Sequence, residues 1–161
     1  MSDHEDIDRI FAMAGKIRTA MLVTRGAEGP HARPMSAIVK ADERLVWFLT
    51  SADSAKEWEI EADGTSAVTF SDGGNNHVAF TGHSTVVSDR ATVKRLWSTA
   101  AQAFYPQGPD DPGIVALRFE PAIGEMWDGP TMIVSLARMA AAVITGTSAD
   151  NMGDDVSARI N

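Results

Sequence analysis

The residues best placed to do chemistry lie in the stretch LVWFLTSADSAKEWEI, residues 45–60. The apolar run 45–49 has the composition of a buried strand, and Ser54-Ala55-Lys56-Glu57 fits the capping box that opens a helix. Lys56 therefore falls in the first helical turn. A cation there meets the positive end of the helix dipole and several unpaired N–H groups, at a cost of a few tenths to about 1 kcal/mol. An anion beside it reverses the sign. Two kinds of partner fit: a carboxylate of Asp53, Glu57 or Glu59, or a phosphate held by helix N–H groups, the hydroxyls of Thr50, Ser51 and Ser54, and the Lys56 ammonium. In the preceding strand, Arg33-Pro34-Met35 places a proline that must sit at an edge, a bulge or a break in pairing, where backbone groups are left for a ligand. Residues 33–35 and 47–50 fall on neighbouring strands by chain order. A planar ligand lying across both would put its phosphate at Lys56.

The elements that must position these residues follow from periodicity. Ile7, Ile10, Phe11 and Ala14 recur at helical spacing, which predicts an amphipathic first helix over 5–16. The runs 19–25 and 31–40, divided by GAEGP, predict a hairpin, and a second hairpin runs through ADE into 45–50. A helix over 54–62 follows, then strands at 65–71 and 77–88 joined by DGGNN, a turn rich in residues that tolerate positive φ. A second long helix is expected from Ser88 onward, with Val93, Leu96, Trp97 and Ala100 on one face, until YPQGPDDPG breaks it. Residues 114–127 return to strand, bent or divided at Pro121 and Gly124. Residues 132–144 predict a packed helix, and in the polar tail beyond Gly146 only 156–160 has a strand pattern. About six consecutive antiparallel strands with flanking helices predict a mainly β, α+β closed or nearly closed barrel.

Composition narrows the function classes. The chain has 161 residues, net charge -8 and no cysteine. Its length suits one domain with a real core. The absence of cysteine removes disulfide frameworks, thiolate nucleophiles and zinc–thiolate or cysteine-ligated iron–sulfur sites. The negative charge without a Lys/Arg cluster argues against nucleic-acid binding. Residues 132–144 contain Arg138 and are shorter than the roughly 20 residues of a membrane-spanning helix. The acidic start lacks the plan of an export signal, so a cytoplasmic location is expected. His4, His31, His77 and His83 are scattered without metal-ligand spacing, so no metal is expected. The nucleophile elbow, phosphate-binding P-loop and dinucleotide-binding glycine patterns are absent as well.

Five stretches, taken together and in order, resemble the general stress proteins of the pyridoxamine 5'-phosphate oxidase-like family, which have the FMN-binding split-barrel fold. They are ARPM at 32–35, LVWFLTSADSAKEWEI at 45–60, HVAFTG at 77–82, SDRATVKRLW at 88–97 and PQGPDDPGIVALRFEPAIGEMWD at 106–128. The resemblance implies an FMN-binding split-barrel domain over 1–146 with a C-terminal tail at 147–161. It also implies a cytoplasmic homodimer with FMN at the subunit interface, FAD and a deazaflavin being the alternatives. Carried over by position, Arg33, Pro34 and Met35 would line the ring and ribityl chain. Phe48, Leu49 and Thr50 would offer backbone and hydroxyl contacts, and Lys56 with Ser54 would bind the phosphate. His77 stands where related oxidases place a glutamine near the ring, and Trp127 matches a late aromatic that can reach a flavin from the other subunit. Related oxidases that act on pyridoxamine phosphate carry an arginine before the lysine, where this chain has Ala55, and their C-terminal substrate-phosphate arginine pattern is missing. The implied function is a flavin-dependent oxidoreductase of the bacterial stress response with no assigned acid or base. Its alternative is a flavin-sequestering protein without turnover.

Overall fold

The computed structural model describes residues 3–130, 132–146, 148 and 154–160. Helix α1 (Asp3–Ile17) is followed by strands β1 (Thr19–Gly26), β2 (Gly29–Ser36), β3 (Ile38–Lys40) and β4 (Leu45–Ser51), then helix α2 (Ala55–Ala62). Strands β5 (Thr65–Ser71) and β6 (Asn76–Val87) lead to two short helices, α3 (Arg90–Leu96) and α4 (Thr99–Phe104). Strand β7 (Ile114–Asp128), helix α5 (Met132–Thr145) and strand β8 (Asp154–Arg159) complete the order. Hydrogen-bonded neighbours run β2-β1-β5-β6-β7-β4-β3, all antiparallel, with β8 added to β7. The two edge strands of this path, β2 and β3, are consecutive in the chain and separated only by the buried Ala37. The sheet therefore curls back on itself. This is the split half-barrel with flanking helices that the sequence implies.

Hydrophobic patterning explains the packing. Ile7, Ile10, Phe11 and Ala14 of α1 lie on one face and enter a core with Leu22, Val46, Phe48, Val68, Phe70, Phe80, Leu117 and Phe119. Phe80 is fully buried between Phe11 and Phe70, with ring centroids 5.1 and 6.2 Å away. Strand β4 is buried on both faces. Val46 and Phe48 join this first core, while Trp47 and Leu49 pack on Val93, Leu96, Ala101, Ile114 and Ala116 in a second cluster beneath α3 and α4. That double burial is why 45–49 reads as an unbroken apolar run.

Several expectations are corrected. Eight strands replace about six, because 31–40 divides at Ala37 into β2 and β3 and because β8 pairs with β7. The helix expected from Ser88 starts after Asp89, whose carboxylate caps it at the Thr92 N–H, and it is broken at Trp97. There the Ser98 hydroxyl accepts from the Ala101 N–H and starts a new helix, α4. Strand β7 is one bent strand. Its register with β6 slips between Thr81 and Gly82, opposite Pro121, and a Cβ on Gly82 would lie 2.0 Å from the Glu120 carbonyl oxygen. Helix α5 forms as expected, but among its described side chains Leu136, Val143 and Ile144 are exposed and only Ser135 is buried. Of the predicted tail strand, β8 begins earlier, at Asp154, and Ala158 and Ile160 enter the core. The tail positions 147, 149–153 and 161 lie outside the described residues.

Candidate functional site

The turn from β4 into α2 builds an anion-seeking helix start. Asp53 adopts φ 59° and is followed by Ser54, the residue before the first helical turn, in extended conformation. Aspartate is among the few side chains at ease in that left-handed region. The expected capping box is displaced by one position: the Glu57 carboxylate accepts from the Asp53 N–H instead of that of Ser54. The Ser54 hydroxyl makes no cap bond, and its oxygen is buried without a hydrogen-bond partner. The amides of Ala55 and Lys56, at the first two helical positions, have no intrahelical acceptor by helix geometry. At this helix start the Ser54 hydroxyl and the next two amides, consecutive in the chain, are left without a partner among the described residues.

Lys56 adds charge to it. Among the described residues its ammonium forms no ion pair, and two of the carboxylates that could have neutralised it are engaged elsewhere, Glu57 with Asp53 and Glu59 with Thr24, His31 and Arg33. Burial holds the Lys56 pKa below its ordinary value, Arg33 lowers it further, and Glu57 and Glu59 oppose the shift. Arg33 thus lies within electrostatic reach of Lys56. Its Nη1 donates to Thr24 Oγ1 at 2.5 Å and its Nη2 to Glu59 Oε2 at 2.6 Å. Thr24 Oγ1 donates to the same Glu59 oxygen, and His31 Nδ1 lies 3.0 Å from Glu59 Oε1. Burial works against ionising Glu59, but the hydrogen bonds from Thr24, His31 and Arg33 and the Arg33 charge outweigh it and bring its pKa down to about 2.

A cleft of about 410 Å³ opens between the β2–β3 edge, β4 and α4. Pro34, Met35 and Ser36 line it from β2, Ile38 from β3, Leu49 from β4, and Ser98, Phe104 and Tyr105 from the α4 segment. Of its lining residues none is charged. Strand β2 is an edge, paired only with β1 among the described residues, which is how it accommodates Pro34. Strand β3 covers β4 only as far as Trp47, so the main chain beyond it is open on that side, and the Leu49 carbonyl accepts from the Tyr105 hydroxyl at 3.2 Å. Burial raises the Tyr105 pKa, which keeps that donor protonated.

The structure brings Pro34, Met35 and Leu49 together in the cleft, and Arg33, Ser54 and Lys56 to the β2–α2 side. Phe48 and Thr50 are buried, Phe48 in the core, so it is chiefly their main chain that β4 can offer. His77 and Trp127 form a cross-strand pair near the far ends of β6 and β7, whereas Leu49 pairs with Ala116 at the start of β7. Ten residues of β7, a strand bent at Pro121, lie between Ala116 and Trp127. His77 and Trp127 are exposed, Trp127 by 37%. Within one chain they lie at the end of β7 opposite to the Leu49 pairing, and neither lines the cleft. Sequence reasoning missed Thr24, His31 and Glu59 as a group, and Ser98, Phe104 and Tyr105 as the wall of the cleft. For Tyr105 the only local signal is the aromatic before a breaker, and for Glu59 its place one turn after Lys56.

The model of the family described as pyridoxamine 5'-phosphate oxidase like matches residues 5–150. Among solved structures, general stress protein 26 from Jannaschia sp. CCS1 superposes with TM-score 0.77 at 23% identity, covering 99% of this chain and 100% of that one. A general stress family protein from Xanthomonas campestris pv. campestris gives TM-score 0.68 at 29% identity, over 82% of this chain and 93% of that one. The general stress FMN/FAD binding protein from the phytopathogen Xanthomonas citri gives TM-score 0.67 at 30% identity, over 76% of this chain and 88% of that one. No curated protein matches. The chain belongs to the pyridoxamine 5'-phosphate oxidase-like family, as a general stress protein with a split-barrel fold.

Proposed function

We propose that this protein binds FMN and acts as a flavin-dependent oxidoreductase. The observation that carries the reading is the start of α2, where the buried Ser54 hydroxyl lacks a partner and the Lys56 ammonium lacks a counter-ion among the described residues. Both lacks are met by one phosphate, which accepts from hydroxyl, amides and ammonium together. The uncharged cleft beside it, walled by Pro34, Met35, Leu49 and Tyr105, suits a planar, mostly apolar ring. The Xanthomonas citri relative is an FMN/FAD binding protein, which supports a flavin as the ligand.

A bound flavin supplies the redox chemistry at its ring N5, and the protein supplies position and electrostatics. Residues 33–35 and 48–50 set the ring against the barrel edge, and Lys56 with Ser54 anchors the phosphate. Ala55, where the related oxidases of pyridoxamine phosphate carry arginine, leaves the site without that extra cation, so a different substrate is expected. The remote His77–Trp127 pair supports a homodimer in which each subunit completes the other's site. The first test is the visible spectrum of the purified protein and a fluorescence titration of the apo form with FMN. Saturable binding at micromolar concentration or tighter, followed by reduction with NADH or NADPH, is the expected result. Absence of FMN binding overturns the reading. Binding without turnover to any added acceptor leaves a flavin-sequestering protein.

A further inference from the structure

We propose that Glu59 is a positioning residue for this anion site: together with Thr24 it holds the Arg33 guanidinium beside Lys56 as the second cation for the phosphate. The inference rests on the FMN reading and names a device within it. Arg33 belongs to an edge strand, so among the described residues one side of its backbone has no sheet neighbour. The hydrogen bonds close a ring instead. Arg33 Nη1 reaches Thr24 Oγ1 at 2.5 Å, Arg33 Nη2 reaches Glu59 Oε2 at 2.6 Å, and Thr24 Oγ1 donates to that same oxygen. Thr24 is 2% exposed, and the Arg33 and Glu59 side chains 15% and 17%, so the ring is largely shielded from water and joins β1, β2 and α2.

A carboxylate in a phosphate site calls for a reason, because it repels the ligand it surrounds. Here it balances two cations. Lys56 and Glu59 are three residues apart on α2 and share a helix face, and Arg33 disfavours the Lys56 charge while Glu59 favours it. Without Glu59, Arg33 and Lys56 repel each other and only the Thr24 hydroxyl holds the guanidinium. With it, two of the five guanidinium N–H groups are used, and the rest remain for an anion.

The test compares FMN with riboflavin, which lacks the phosphate, in fluorescence titrations of the wild type, Glu59→Ala, Glu59→Gln, Thr24→Val, Thr24→Ser and Lys56→Ala, with circular dichroism confirming the fold. The expected result is a loss of about tenfold in FMN affinity for Glu59→Ala, a smaller loss for Thr24→Val restored by Thr24→Ser, and for riboflavin, whose ring Arg33 also borders, a loss several-fold smaller than that for FMN. Glu59→Gln, which keeps the shape and removes the charge, should fall with Glu59→Ala. If Lys56→Ala weakens FMN alone while the Glu59 variants bind as the wild type or more tightly, the positioning role is overturned and the phosphate site stands. If wild type and Lys56→Ala fail to distinguish FMN from riboflavin, or bind neither, the phosphate reading falls and this inference with it.

Discussion

Ser54 illustrates how a single side chain can separate ligand binding from stability. A buried hydroxyl without a partner costs the fold its desolvation, so Ser54→Ala should leave the unfolding free energy of the apo protein unchanged or raise it by about 1 kcal/mol. The same change removes a hydrogen bond to a charged ligand, and FMN affinity should drop roughly tenfold in a fluorescence titration. Glu59 gives a second residue-scale prediction. Its pKa is depressed from 4.5 to about 2, so the stability it contributes is fully present above 4.5 and is lost as pH falls through about 2. Asp63, Asp72 and Asp89 are depressed as well, so the wild-type melting temperature should fall over the acid range from several causes. The wild-type advantage over Glu59→Gln should shrink between pH 4.5 and 2, and an unchanged difference across that window would remove Glu59 from the account.

Among the elements, β6 and β7 show what local patterning can and cannot convey. Gly82 reads in the sequence as one small residue inside a strand, yet it lies where the register slips and where Glu120 comes too close for any side chain. Gly82→Ala should therefore destabilise the protein by about 1–3 kcal/mol in denaturant unfolding, with the bent half of β7 losing amide protection first. Helices 5–16 and 54–62 and the strands at 19–25, 45–50 and 65–71 were legible because each carries its own period or apolar run. The break between α3 and α4 was not, because one apolar face continues through Val93, Leu96 and Trp97 while the Ser98 cap, a backbone event, interrupts it. Helix α5 was legible as a helix but not as an exposed one. Periodicity reports which face is apolar and leaves open what covers it.

At the scale of the whole molecule, the placing of the His77–Trp127 pair at the other end of β7 from the cleft turns the proposed homodimer into a mixing experiment. Lys56→Ala and Trp127→Ala subunits should each bind FMN weakly alone. After denaturation and joint refolding in equal amounts, random pairing should restore about a quarter of the sites to full affinity, because each mixed dimer contains one site with both native halves. No recovery would place both residues in one subunit's site or remove Trp127 from it. Among the described residues no helix is long and apolar enough to cross a membrane. The sequence by itself determined the antiparallel barrel, the helix start at Ser54 and the cation in its first turn, because alternation, capping chemistry and dipole sign are local properties of the chain. Only the tertiary structure decided that Glu59 and Thr24 hold Arg33 near Lys56, that Tyr105 closes the cleft, and that Trp127 lies outside that cleft at the other end of β7. Those facts depend on which strands become neighbours once the sheet curls, and no stretch of sequence contains that curvature.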